Sequence, residues 1–578
     1  MREHVRANRQ ELPHPYPAVV LFFSFTDGSE RAVVTTVLGA DFDAAWNIGV
    51  ERVMDLRRCL IGDCFWLRVD WPMAVAPSSF GALDRILAQT KRNYFRFGLS
   101  LDNRFDRAFI EQELNANAML DRGGGEAMAG INATNFSAYA RRRFPDDPPL
   151  SLEDTAPVHI FTSKGVFFDG DLIHDLYPTG RNAGRRVVDR LTVPMVTSLI
   201  DDGAEYLARQ VDGDGRFYYG LHAGFGRSIE NYNALRHAST TYAMVEALAV
   251  TESTILAEAI ERSLSFMVSK LIRDVILPDG KKAAFVVEAD GEIKLGGNAA
   301  AIIALVEHAR ATGDRGHLGL IRRLAAGLCF MRDRDSGGFR HVLNYPSLHT
   351  KQTFRIVYYD GEAVLALLRL YGLTADTTLL TAARAAFDTF IAAGHARYHD
   401  HWLAYCAEEL TQHCPEERYY RFAIDNIADR LDFVSRRITT FPTLLELMMA
   451  TCEVFALLKR DPIHGHLLAR VDFGAFDKAL TRRAHHLLNG HFWPELAMDM
   501  HEPARVSGSF FIRHHAFRTR IDDVEHYLSG FIAYRRHLLT QDEHCGAAAL
   551  GTEQKTNPGR QTMQFECFTK FPTFLSGR

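Results

Sequence analysis

ILAEAIERSLSFMVSKLI, residues 255–272, and EAVLALLRLY, residues 362–371, both read as helices, and the difference between them decides the fold. In the first, Glu258, Glu261, Arg262 and Lys270 leave an apolar stripe opposite, the pattern of a helix with one face in water. The second is apolar almost all round, so it must be covered on most sides. A chain that alternates the two kinds stacks helical hairpins, with the amphipathic members outside and the apolar members inside.

That alternation recurs about six times between residues 187 and 540. The apolar members start near Arg236 (RHASTTYAMVEAL), Gly297 (GNAAAIIALVEHA), Gly361 (GEAVLALLRLYG), Asp400 (DHWLAYCAEEL), Pro442 (PTLLELMMATCEVF) and Asp523 (DVEHYLSGFIAY). Amphipathic helices are expected before them at 190–209, 254–272, 316–332, 376–393, 416–434 and 475–489. The loops DGDGRFYYG (212–220), LPDGKKAAFVV (277–287) and DSGGFRHVL (335–343) combine glycine with aromatic and β-branched residues, which predicts sharp exits followed by short strands. An outer ring around an inner ring satisfies both patterns, and it gathers these loops at one end.

The repeat resembles the α,α-toroid superfamily of six helical hairpins, which includes six-hairpin glycosidases, polysaccharide lyases, N-acylglucosamine 2-epimerases and the helical domain of glucuronyl C5-epimerases. The resemblance covers about 187–540 and is architectural, because no family catalytic signature aligns residue for residue. It implies sugars as the substrate class and transfers no catalytic residue.

Polar clusters stand where the inner helices begin. They comprise Asn233 with Arg236 and His237; Lys294 with Asn298; Arg355 with Tyr359, Asp360 and Glu362; Asp400 with His401 and Trp402; and His514 and His515 with Arg520, Asp522, Asp523 and His526. Helix amino termini offer free N–H groups and a positive dipole, which suit anionic ligands as well as acidic side chains. Each cluster also has a plainer explanation. Asp360 and one of Asp522 and Asp523 can act as helix caps, and His237 and His526 can be hydrogen-bonded core residues. A metal between His399, His401 and His514 or His515 is disfavoured, because helical residues two apart point in different directions. No metal or other cofactor is expected.

The expected function is that of a carbohydrate-active enzyme working on a uronate-containing sugar or polysaccharide in the toroid funnel. Hydrolysis needs a protonated and an ionised carboxyl group, which Glu362 or Asp360 with Asp400 or Asp523 could supply. Elimination or epimerisation needs a base and an acid around an acidic carbon, with cations or amides on the carboxylate. Tyr359, His237, Arg236 and Asn233 fit that chemistry, and the excess of His, Tyr, Arg and Asn tilts the reading towards it. Arg355, His401, Trp402, Arg520 and His526 are the further substrate-binding candidates. The alternative is a non-catalytic toroid that binds a glycan or a protein. An isoprenoid or peptide cyclase is a third possibility, but neither a DxDD motif nor a Cys/Cys/His zinc set is visible.

Residues 1–186 read as a separate α+β module. Residues 18–38 form a hairpin around Asp27-Gly28, Asp41 caps a helix at 42–56, strands are expected at 65–71 and 157–162, and a helix is expected at 106–120. Glu111, Asn115 and Asn117 read as a solvated helix face or as buried caps. Glycine clusters here lack the spacing of a phosphate loop or dinucleotide fingerprint. With 578 residues, 47% of them hydrophobic, and a net charge of −5, the chain gives no electrostatic reason to expect nucleic acid or a membrane surface as partner. Its amino terminus has no secretory pattern, and its 8 scattered cysteines read as buried thiols of a cytoplasmic protein. Residues 541–578 read as a mobile tail.

Overall fold

A computed structural model describes residues 1–59, 62–333 and 336–550, with side chains to 542. Met1–Arg535 forms one compact unit, and Arg536–Arg578 a second.

The amino-terminal strands build an antiparallel sheet. Its members are β1 (Val19–Thr26), β2 (Val33–Gly39), β3 (Trp66–Ser79), β4 (Gly98–Ser100), β5 (Ala108–Phe109), β6 (Pro157–Phe168) and β7 (Ile173–Asp175). Their order is β2-β1-β3-β6-β4-β5, with β7 also on β6. Strand β1 pairs on both sides, and all its side chains are buried, as its sequence VVLFFSFT requires. The hairpin and the helix Phe42–Cys59 stand where the sequence places them, and Asp41 Oδ1 caps that helix by accepting from Ala44 N–H at 2.9 Å.

The helix expected at 106–120 is reduced to Glu111–Ala116. Both oxygens of Asp102 accept backbone N–H groups of Arg104, Asp106 and Arg107, an alternative to helical bonding that leaves the chain free to form β5. Ala118, in the left-handed region at φ +50°, follows the short helix. Glu111, Asn115 and Asn117 are buried, and Glu111 lies 3.0 Å from Arg96.

Among the described residues, twelve helices form the double ring. In chain order they are α1 (Val193–Gln210), α2 (Ala234–Thr251), α3 (Thr254–Phe266), α4 (Leu295–Thr312), α5 (Leu318–Met331), α6 (Tyr358–Thr374), α7 (Thr377–Ala392), α8 (His401–His413), α9 (Glu417–Ala428), α10 (Thr443–Arg460), α11 (Phe473–Leu487) and α12 (Ile521–Leu550). The odd members are the outer helices. The even members pack in succession from α2 to α10.

Side chains then close the inner ring. Glu446 of α10 meets His526 of α12 at 2.9 Å, while Ser239 and Glu246 of α2 meet Glu525 and Ser529 of α12 at 2.6 and 3.0 Å. At the mouth, strand Arg518–Arg520 pairs with Gly220–His222 and joins the last hairpin to the first.

The sequence boundaries need three changes. The helix expected at 254–272 ends in a π turn, Met267–Leu271, after which Ile272–Ile276 pairs with Lys282–Val286 as β structure. The one expected at 416–434 is broken into α9 and Leu431–Arg436. Helix α12 runs through the start of the expected tail, and residues 551–578 lie outside the described ones. The described cysteines are free, but Cys406 alone among them is buried, with Cys59 and Cys329 exposed. No helix among the described residues is long and apolar enough to cross a membrane.

Candidate active site

The inner-helix starts surround a cavity of about 590 Å³. Of the residues expected from sequence, Asn233, Arg236, Arg355, Tyr359, Glu362, His401, Trp402, Arg520, Asp523 and His526 line it. His237, Asp360 and Asp400 do not, and each is held behind the wall.

His237 is fully buried, and its Nδ1 lies 2.6 Å from the Tyr232 hydroxyl, with its Nε2 3.0 Å from the Ser263 carbonyl. Asp360 accepts from His341 Nε2 at 3.1 Å, and His341 in turn accepts from the Arg355 backbone N–H at 3.0 Å. Asp400 caps α8 by accepting from Leu403 N–H at 2.9 Å. Arg355 turns towards the rim and grips Glu292 with two bonds of 2.8 and 2.9 Å.

Glu362 is the best-placed acid. Gly296 of α4 makes room for it, because a Cβ there would collide with Glu362 Oε2. That oxygen has no hydrogen-bond partner among the described residues. Burial, reinforced by Asp400 and Glu525, raises the Glu362 pKa well above the usual carboxyl range and favours its protonated form.

Asp522 is also raised, by burial and then by Asp523, and its Oδ1 is likewise unpaired. Burial tends to raise Asp523 too, but Arg518 and Arg520 outweigh it and keep that carboxylate low and ionised. Arg236 and Arg520 both bind Asp522 Oδ2. Neighbouring carboxyls with opposite shifts are what acid–base chemistry needs.

Another stretch of the wall carries Arg437. Arg437 donates to Thr439 Oγ1 at 2.7 Å, lies over the ring of Phe441, and faces no carboxylate at ion-pair distance among the described residues. His514 and His515 stand beside this wall, with ring centres 4.4 Å apart. Burial and then His515 push the His514 pKa down to about 3, and burial and then Arg518 push His515 down to about 4.

The amino-terminal sheet region fixes this turn from behind. Arg92 Nε donates to the His514 carbonyl at 2.9 Å, and Asn93 Nδ2 to the Arg513 carbonyl at 2.8 Å.

Sequence reading missed Glu446, Glu525, Ser239, Arg437 and Arg518. The first two had a signal. Glu446 is the one carboxylate of LLELMM, and Glu525 follows the Asp522-Asp523 pair into an otherwise apolar helix; such groups must find partners once buried. Arg437 carried none, because it comes from an irregular loop. The sequence also expected no metal, yet His401, Glu446 and His526 each offer a ligating atom within 4.8 Å of the others.

Six inner helices in a closed ring, each paired with an outer helix, define an α/α toroid. Solved structures similar to the chain include a D-mannose isomerase (11% identity, covering 61% of this chain and 100% of that one, TM-score 0.45). A cellobiose 2-epimerase from Bacillus thermoamylovorans is likewise 11% identical, over 60% of this chain and 100% of that one, with a TM-score of 0.45. An unsaturated glucuronyl hydrolase specific for heparin is 10% identical over 59% and 97%, with a TM-score of 0.41. No family model matches the sequence, and no curated protein does. At such TM-scores these likenesses carry no functional argument; the ring is defined by its own packing.

Proposed function

We propose that this chain is a carbohydrate-active enzyme that transfers protons at an acidic sugar held in the toroid cavity, an epimerase or lyase in reaction type. One juxtaposition carries the reading. A buried carboxyl of raised pKa, Glu362, shares a cavity with Arg437, which faces no carboxylate at ion-pair distance among the described residues.

A uronate carboxylate seats against Arg437 and the neighbouring imidazoles. Loss of charge there makes the adjacent carbon more acidic, because negative charge develops on the carboxylate as the proton leaves. Asp522, with one free oxygen, accepts that proton, and Glu362 delivers one to the opposite face or to the leaving oxygen. Asn233, Arg236, Arg520 and Trp402 hold the sugar, with Tyr359 and His401 beside it. Asp523 keeps Arg518 and Arg520 in place, and Asp360, Asp400 and His237 support the wall.

A protonated Glu362 near ionisable carboxyls also suits glycoside hydrolysis, which is the second reading.

Incubation with a panel of uronate oligosaccharides separates these outcomes. Epimerisation incorporates solvent deuterium at the reacting carbon, elimination produces an absorbing unsaturated sugar, and hydrolysis releases a reducing end without either. Saturable binding with none of the three products would make the toroid a glycan-binding scaffold and overturn the enzyme reading.

A further inference from the structure

Three side chains at the cavity wall come from three different inner helices: His401 from α8 and His526 from α12 line the cavity, and Glu446 from α10 is buried behind them. One ligating atom of each lies within 4.8 Å of the other two. His526 Nδ1 and Glu446 Oε1 are already 2.9 Å apart. Around a zinc-class ion with nitrogen and oxygen ligands at about 2.0–2.2 Å, neighbouring ligand atoms stand about 3.3 Å apart. The widest pair would therefore close by at most about 1.5 Å, which small side-chain rotations supply.

The surroundings already orient two of these groups. His401 Nδ1 lies 3.4 Å from Asp400 Oδ2, an ion-pair contact rather than a hydrogen bond, which places a carboxylate beside the ring. Glu446 Oε2 accepts from the Tyr405 hydroxyl at 3.0 Å, which leaves Oε1 for the cluster. An ion pair alone accounts for His526 and Glu446 but does not account for His401, whose Nε2 is buried and has no hydrogen-bond partner among the described residues.

We propose that His401, Glu446 and His526 bind one divalent first-row metal ion, zinc or a close relative, in the wall of the cavity. Two imidazoles and one carboxylate leave a fourth position open, and His401 and His526 both line the cavity into which it would face. On binding, the ion replaces the proton between His526 and Glu446, and that proton passes to solvent. An oxygen of a bound ligand then takes the open position. This site stands on its own ligands and does not depend on the sugar or on the reaction type.

The test uses the full-length chain, stripped with a chelator and titrated with Zn²⁺ by calorimetry. The expected result is one tight equivalent in the wild type and in His349→Gln, an exposed histidine outside the cluster. Affinity is expected to fall at least ~10-fold in His401→Gln, Glu446→Gln and His526→Gln. Absence of a tight equivalent in the wild type, or unchanged affinity in the three variants, would overturn the site.

Substitution in a buried cluster can unfold the ring, so Co²⁺-loaded wild type provides an independent reading by proton NMR. Two paramagnetically shifted imidazoles support the site, and one or none contradicts it. Neither measurement involves turnover, so failure here leaves the acidic-sugar reading intact, and the reverse also holds.

Discussion

Ser239 Oγ donates to Glu525 Oε2 at 2.6 Å across 286 residues of sequence, joining the first inner helix to the last. With the Arg236–Asp522 pair above it and Ser529–Glu246 at 3.0 Å, this bond seals the ring beside the cavity. Replacing Ser239 with alanine strips a buried carboxyl of a donor and should cost about 1–3 kcal/mol. Chemical denaturation of Ser239→Ala measures it. A change within error would mean that the ring closes by packing alone.

Gly296→Ala should disable the site without unfolding the protein. The added methyl meets Glu362 Oε2 and the Leu235 and Tyr359 side chains, so the carboxyl must move. Activity on an acidic sugar should fall ~100-fold, as expected when a positioned acid is displaced, with ligand affinity less affected. Normal turnover in Gly296→Ala would place the acid elsewhere.

His237 makes stability depend on pH. Burial lowers its pKa from 6.5 to about 4, so the unfolded chain takes up this proton at a higher pH than the folded chain. Stability is therefore fully present above pH 6.5 and is lost as pH falls from there to about 4. The contribution amounts to roughly 3 kcal/mol. Thermal melts of wild type and His237→Gln across that window should show a shallower acid loss in the variant; parallel curves would refute this assignment.

Glu495 ties the amino-terminal region to the ring. It is fully buried and takes Arg186 Nη2 at 2.7 Å, Arg186 Nε at 3.0 Å and the Arg186 backbone N–H at 2.8 Å. Glu495→Ala leaves a guanidinium without its partner and should cost about 3 kcal/mol in urea unfolding. A loss below ~1 kcal/mol would show the pair to be dispensable.

The hairpin repeat was legible because helical patterning is local: charges on one face mark α3 as outer, and their absence marks α6 as inner. Most of the cavity lining was legible for a related reason, since the polar residues cluster at predicted helix starts. Pairing was not legible. Glu525 and Ser239 meet because the ring closes, and Arg437 faces the cavity because a loop turns there, neither of which has a period. Asp360, Asp400 and His237 look like site residues in sequence and stand behind the wall. A buried bond to His341, a helix cap and a bond to Tyr232 use the same residue types as catalysis does.

Turnover of one uronate oligosaccharide by wild type and Glu362→Gln, with binding measured on both, tests whether Glu362 is the proton donor. The amide, unable to donate the proton, should lower kcat by ~10²–10⁴-fold while affinity changes little. Equal turnover by the two proteins, or binding without turnover by the wild type, would contradict it.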